Sequence, residues 1–460
     1  MVMCRQRTKT RCSRSGTGTV YARTGFGIAL CVIACLADAQ EELSNPAASV
    51  EFGLGRSDNL NRDAEELAAN IGRLAVGFSG YADRRWLQAA LNADIEYRKY
   101  DASELLVDDE LLGSVDGVLE LHAVPEKFQW DFRYGYGQVR IDAFGAVGPL
   151  NRQRTTSLST GPQVKLPLGE RTLLHVAGTL SDQSFEATRE LDGRSSAVRM
   201  ALERQTDPVT QLTVALEGRK LDYDLDSQTQ DTASLSLEYR RELASGESFA
   251  SIGRGRLEVN DGNAEPVTVG RLQWSRSVGA RSQIEICAGR EITDAGSLFA
   301  GASVAVGCPG DADSFASVAR TTNNRSQDVI STTNPLVRSG GSVSFEINGE
   351  RGSLGASFSM AQDRFEEGTS FDNDSTIVEI SGSREVAQYW RAELTARLWI
   401  QDFIDHGRKN EDRFVRLSIT RLLARNMRVT LSFDQNRRVG GVGTFNANDY
   451  FLSFGRDFGR

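Results

Sequence analysis

The chain has 460 residues, of which 53 are basic and 62 acidic, giving a formal net charge of −9 at pH 7. That balance speaks against nucleic acid as a partner, because a phosphate backbone needs a positive surface. No run of 18 apolar residues occurs, which rules out a spanning helix but leaves open a crossing built from strands.

Residues 1–39 read as an export signal. Arg5, Arg7, Lys9, Arg11, Arg14 and Arg23 form a basic start, and residues 25–36 form an apolar stretch too short to span. Ala37-Asp38-Ala39 then places small residues where a signal peptidase reads, predicting cleavage before Gln40. A rival reading takes Val32-Ile33-Ala34-Cys35 as a lipoprotein box that would lipidate Cys35. Cleavage after Ala39 removes six basic residues and one acidic residue, so the mature chain, residues 40–460, carries −14. It also removes four of the six cysteines and leaves Cys287 and Cys308. In an exported chain such a pair reads as a disulfide; the alternative is two buried free thiols.

From residue 49 onward the pattern alternates apolar and polar with a period of two, which is that of a strand with one face buried or in lipid. Strands are predicted over 49–57, 67–81, 86–100, 111–124 and 128–141, the last carrying Trp130, Phe132, Tyr134 and Tyr136 on one side. Hairpins follow: 156–168 with 172–185, 195–204 with 210–221, 233–243 with 249–259, and 267–278 with 283–291. After a long insert come 341–347 with 353–365, 376–385 with 390–403, 414–422 with 427–438, and a closing strand over 450–458. The clearest case is 390–403, where Trp390, Ala392, Leu394, Ala396, Leu398 and Ile400 alternate with Arg391, Glu393, Thr395, Arg397, Trp399 and Gln401.

Tight turns alternate with longer polar loops, and the strand number is even, about 20, with 18 an alternative. Transmembrane barrels have short periplasmic turns, longer outer loops and even strand counts. In lipid every backbone N–H and C=O must be paired within the protein, and a closed barrel achieves this without an edge. The expected fold is therefore all-β: a transmembrane antiparallel up-and-down barrel of the outer-membrane type over residues 40–460. A propeller with blades of about 40 residues fits less well, because each repeat holds two long strands rather than four short ones.

Alternation assigns faces. Leu394, Leu398, Val429 and Leu431 are expected to face lipid. Arg391, Glu393, Arg397, Arg416, Arg428, Asp434, Arg240 and Glu238 are expected to line the lumen, together with Glu217, Arg219, Arg254, Arg256 and Glu346. Charges of both signs on one wall admit two readings: cross-strand pairs that brace it, or the lining of an aqueous pore. The insert after Glu291, about 43 residues, is the longest connection. Long loops are commonly functional or disordered. With Cys287 inward beside Glu285 and Gly289, and Ile284 and Ile286 toward lipid, a bridge to Cys308 would fold the insert into the mouth as a constriction.

No enzymatic constellation stands out. His122 and His175 fall on the inward face, and His406 sits near Asp402 and Asp405 in an outer loop, which reads as a solvated polar loop. Asp372, Asn373 and Asp374 read as a polar turn rather than a calcium loop. No cofactor, metal cluster or phosphate loop is indicated.

Two stretches carry a family resemblance. Val50-Glu51-Phe52-Gly53-Leu54-Gly55-Arg56-Ser57-Asp58-Asn59-Leu60 and Thr160-Gly161-Pro162-Gln163-Val164-Lys165-Leu166, with Leu168-Gly169-Glu170-Arg171-Thr172 after it, resemble the beta-barrel porin 2 family. The resemblance implies an outer-membrane location and an association with exopolysaccharide synthesis or export components. The closing strand ends in Phe458, which resembles the signal read by the barrel-assembly machinery, although Gly459 and Arg460 follow it. The expected role is a porin-like channel or export conduit, for polysaccharide or another polar solute; the alternative is a surface-display barrel without transport.

Overall fold

The computed structural model describes residues 46–102, 108–142, 144–145, 148–225, 228–260, 262, 264–294, 333–365, 371–424, 426–440 and 443–459. The expected export signal, Cys308 and most of the long insert lie outside these residues. Twenty strands follow in chain order: β1 (Ala47–Ser57), β2 (Ala69–Arg84), β3 (Leu87–Asp101), β4 (Asp109–Val124), β5 (Phe128–Val139), β6 (Gln153–Gly169), β7 (Thr172–Phe185), β8 (Gly193–Asp207), β9 (Thr210–Tyr223), β10 (Thr229–Leu243), β11 (Gly246–Val259), β12 (Glu265–Ser277), β13 (Ser282–Thr293), β14 (Leu336–Asn348), β15 (Gly352–Phe365), β16 (Asn373–Ala387), β17 (Trp390–Phe403), β18 (Arg408–Ala424), β19 (Met427–Gly440) and β20 (Phe445–Phe458). Each pairs antiparallel with its sequence neighbours, and β1 pairs antiparallel with β20, with Phe52 opposite Phe454. The sheet is thus closed, and its strand number is 20.

The start of β1 and the end of β20 lie at the end of the barrel that carries the tight turns, as in barrels whose short turns are periplasmic. Five strand pairs slip register next to such a turn: at Leu121/Val124, Pro167/Gly169, Gln205/Asp207, Glu385/Ala387 and Leu422/Ala424. These bulges let a strand bend into a two- or three-residue connection. Gly161 and Pro162 interrupt the β6–β7 ladder, whose pairs run from Thr160–Leu180 to Gln163–Ala177. Proline has no N–H to give, and a Cβ on Gly161 would sit 1.8 Å from the Gly178 carbonyl oxygen. A side chain there would have to push the two backbones apart.

Strands are longer than their apolar patterns predict, mainly toward the outer end. β18 starts at Arg408 rather than 414, β14 at Leu336 rather than 341, and β20 at Phe445 rather than 450. Hydrogen bonding between strands continues above the lipid belt, where an outward polar residue costs nothing and alternation ceases to mark the strand.

The outward face is apolar and exposed. Ile419 (38%), Leu431 (57%), Leu452 (57%) and Leu54 (62%) stand in one cross-strand row across the closing seam. A continuous exposed apolar belt around a closed sheet is a lipid-facing surface. The buried residues concentrate instead at the loop end. There Val139, Phe185, Leu191, Leu336, Phe365 and Phe403 form one cluster, with Phe144 and Phe371 packed against it.

Candidate functional site: the lumen and its outer mouth

Strand register places every lumen residue named from the closing strands. Arg391, Glu393 and Arg397 share the face of Trp399, Gln401 and Phe403, all buried inside the barrel. Arg416 faces Asp434, and their guanidinium and carboxylate meet through two hydrogen bonds of 2.8 and 2.6 Å. Arg428 reaches across the seam to Glu51 at 3.1 Å and also pairs with Asp457. Glu51 in turn takes Arg73 at 3.1 Å, and Arg73 takes Glu96 at 3.1 Å, so β19, β20, β1, β2 and β3 share one ionic chain. Elsewhere Glu238 accepts from Arg199 at 2.8 Å, Arg240 pairs with Glu247 at 3.2 Å, and Arg391 with Glu393 at 2.9 Å. Arg397 lies over the Trp399 ring, 5.4 Å from its centroid. Glu217 faces the lumen near Arg199, and Glu346 lies opposite Gln283 on the inward face of β13–β14.

Two arginines expected in the lumen are not there. Arg254 and Arg256 lie on the outward face of β11, in line with Ile252, which is 66% exposed. The inward face holds Phe249, Ser251, Gly253, Gly255 and the buried Leu257, with Phe249 opposite Arg240. Glycine and serine give that face no hydropathy of its own, so the sequence pattern cannot tell in from out; pairing with β10 decides it.

The outer mouth is crossed by the β5–β6 loop, a feature the sequence reading missed. Its Phe144 ring packs at a tilt against Phe403 of β17 (centroids 4.7 Å), stacks on Phe371 (5.8 Å) and meets His406 edge to face (5.4 Å). The Phe144 carbonyl accepts from Arg438 at 3.2 Å, and the Arg408 guanidinium lies 5.2 Å from its ring. Arg140, 1% exposed, sits 4.7 Å over Trp399. Counted around the closed sheet of 20 strands, β5 stands ten strands from β15, eight from β17 and six from β19, so these contacts reach across the lumen. The sequence hint was the loop's own composition, with Phe144 beside Ile141, Val147 and Leu150 in a connection that should otherwise be solvated.

The ends of the long insert also turn inward. Asp294, 2% exposed, pairs with Arg219 of β9, and the Thr333 carbonyl accepts from Gln230 of β10. Cys287 is buried, opposite Gln273 and Ser342 on the inward face, while Ile286 is exposed outward. Its expected partner, Cys308, lies outside the described residues.

Other candidate residues have local roles. His122 stands 3.9 Å from Glu120, and His175 lies 3.0 Å from Gln163 Oε1. Asp372 accepts the Phe365 N–H at 2.8 Å, Asn373 donates to the Phe371 carbonyl, and Asp374 pairs with Arg364; Asn373 and Asp374 open strand β16 rather than forming a turn, and the three residues fasten β15 to β16. Asp58 and Asn59, from the first family-like stretch, tie the β1–β2 loop to the β19–β20 side. Asp58 accepts from the Asn448 N–H at 2.7 Å, and Asn59 donates to the Asn446 carbonyl at 3.2 Å.

Closed sheet, lipid-facing belt and charged interior together define a transmembrane β-barrel of the outer-membrane type. No protein-family model and no curated protein matches the sequence. Among solved structures it is similar to the FrpB iron transporter from Neisseria meningitidis (F5-1 variant; 9% identity, 90% of this chain and 82% of that one, TM-score 0.46). It is also similar to the siderophore receptor PiuA from Acinetobacter baumannii (8%, 91% and 82%, TM-score 0.45) and to OmpT from Vibrio cholerae (11%, 91% and 100%, TM-score 0.37). At these scores the likeness carries no function over to this chain.

Proposed function

We propose that the chain is a non-enzymatic outer-membrane channel for a polar solute, with its outer mouth constricted by the β5–β6 loop. The observation that carries this reading is a loop anchored to the opposite wall of a barrel whose interior is lined with charge. A wall bearing Arg and Glu offers hydrogen bonds to any polar solute that leaves water. The constriction is held by polar, cation–π and aromatic contacts of the loop. A charged hydrogen bond such as Arg438 to the Phe144 carbonyl contributes about 1.5–3 kcal/mol, and a cation–π contact about 0.5–2 kcal/mol. Packing of the Phe144 ring against Phe403 and Phe371 adds to these, so the loop holds the mouth narrowed.

The resemblance to the beta-barrel porin 2 family favours an exopolysaccharide chain as the solute and export components as partners. Under this reading the barrel-assembly machinery inserts the chain into the membrane. The ion pairs on the inner wall and the bridged mouth favour a second reading, a sealed display barrel with no transport role.

Planar-bilayer recording separates the two. Replacing residues 141–151 by a short glycine-serine link should raise unitary conductance well above that of the unaltered barrel. Absence of unitary steps in both proteins, each shown to be inserted, would leave only the display reading.

A further inference from the structure

The outward arginines of β11 have a neighbour on β13. Arg290 lies opposite Gly270, Arg254 opposite Thr268, and Arg256 opposite Pro266. All three arginines are exposed and outward, and the β12 residues between them are short. Strands two apart are about 10 Å from one another, so the long side chains can converge above Thr268 and Gly270.

Some other basic residues at the outer rim have carboxylates. Arg194 pairs with Asp182 at 3.2 Å, Arg364 with Asp374 at 2.6 Å, and Lys220 with Asp222 at 3.7 Å. Among the described residues no carboxylate pairs with Arg254, Arg256 or Arg290. Glu258 lies two residues further out on β11, opposite Asp231, on the solvent side of the group. On the other side, toward the periplasm, the same face is apolar: Leu237 (52%), Ile252 (66%), Leu272 (51%) and Ile286 (37%) are all exposed.

We propose that Arg254, Arg256 and Arg290 form a site for a phosphorylated lipid head group of the outer leaflet, with its acyl chains on the apolar strip beneath. Guanidinium groups bind phosphate through paired, charge-assisted hydrogen bonds. Three unneutralised arginines at the upper edge of a lipid belt match an amphiphile with anionic phosphate at that height. Free phosphate would use the arginines but not the strip. The site sits on the outer wall and does not depend on what passes through the lumen.

The test uses the purified full-length barrel in detergent, with native mass spectrometry of bound lipid. The probes are bisphosphorylated lipid A, the same lipid without phosphates, and inorganic phosphate. The barrel should retain one bisphosphorylated lipid A while losing the dephosphorylated form. The triple variant R254Q/R256Q/R290Q should bind it about tenfold more weakly or worse, and Arg194→Gln, whose arginine is already paired, should bind as the parent does. Heat-dependent gel migration verifies that each variant is folded. The single variants Arg254→Gln and Arg290→Gln, each expected to weaken retention severalfold, serve if the triple variant does not insert. Equal retention of the two lipids, equal retention by parent and variants, or full displacement by inorganic phosphate at the lipid's own concentration would overturn the proposal.

Discussion

Inserting arginine at Leu431 tests the assignment of faces on which the barrel rests. Leu431 is 57% exposed and flanked on the outward face by Ile419 and Leu452. It lies four residues above Met427, where β19 leaves its turn. At about 3.4 Å per residue and a tilt of about 40°, that is about 10 Å above the turn, close to the middle of a belt about 25 Å tall. Arginine there should cost about 2–4 kcal/mol. The next residue, Ser432, faces the lumen opposite Ser418 and Phe451. Arginine at that position stays on the inner wall and out of lipid, so its cost should be smaller than at Leu431. Denaturant unfolding of the two variants in phospholipid vesicles, followed by tryptophan fluorescence and gel migration, measures both. If Leu431→Arg costs no more than Ser432→Arg, the faces are reversed and the lumen assignment fails with them.

Three further outcomes are expected. Replacing Arg391, Arg397, Arg416 and Arg428 together by glutamine should lower anion preference in bilayer recordings; unchanged selectivity would leave these residues only a bracing role. Asp192, in the outer loop after β7, accepts the Phe185 N–H at 2.6 Å, and burial raises its carboxyl above the ordinary range. The folded state then holds that proton more tightly than the unfolded chain does, so stability falls as pH rises from the ordinary carboxylate value through the raised one. Asp192→Asn keeps an acceptor and should flatten this part of the pH dependence of the denaturation midpoint; an unchanged slope would rule the group out. If Cys287 and Cys308 are joined, peptide mass spectrometry without reductant should find them linked, and closing a loop of about 20 residues should add about 3 kcal/mol; free thiols at both positions would remove the bridge.

Alternation by itself determined that this chain is a barrel of hairpins and which side of most strands meets lipid. Leu394 against Arg397, and Val429 and Leu431 against Arg428, have side chains of opposite hydropathy at a period of two, and only an extended strand separates them. The same rule lost its hold where hydropathy was flat. On β11 glycine and serine share the inward face, so only pairing with β10 shows that Arg254 and Arg256 point out. At the outer ends of β14, β18 and β20 the strands outrun the belt, and backbone pairing, not side-chain pattern, sets their length. Glu51 and Arg428 are 377 residues apart in sequence and meet only because the sheet closes. Phe144 belongs with Phe403 for the same reason: opposite walls come within a loop's reach once the circumference is set. Local chemistry determines a strand and its faces, while contacts across a seam or a lumen exist only in the closed sheet.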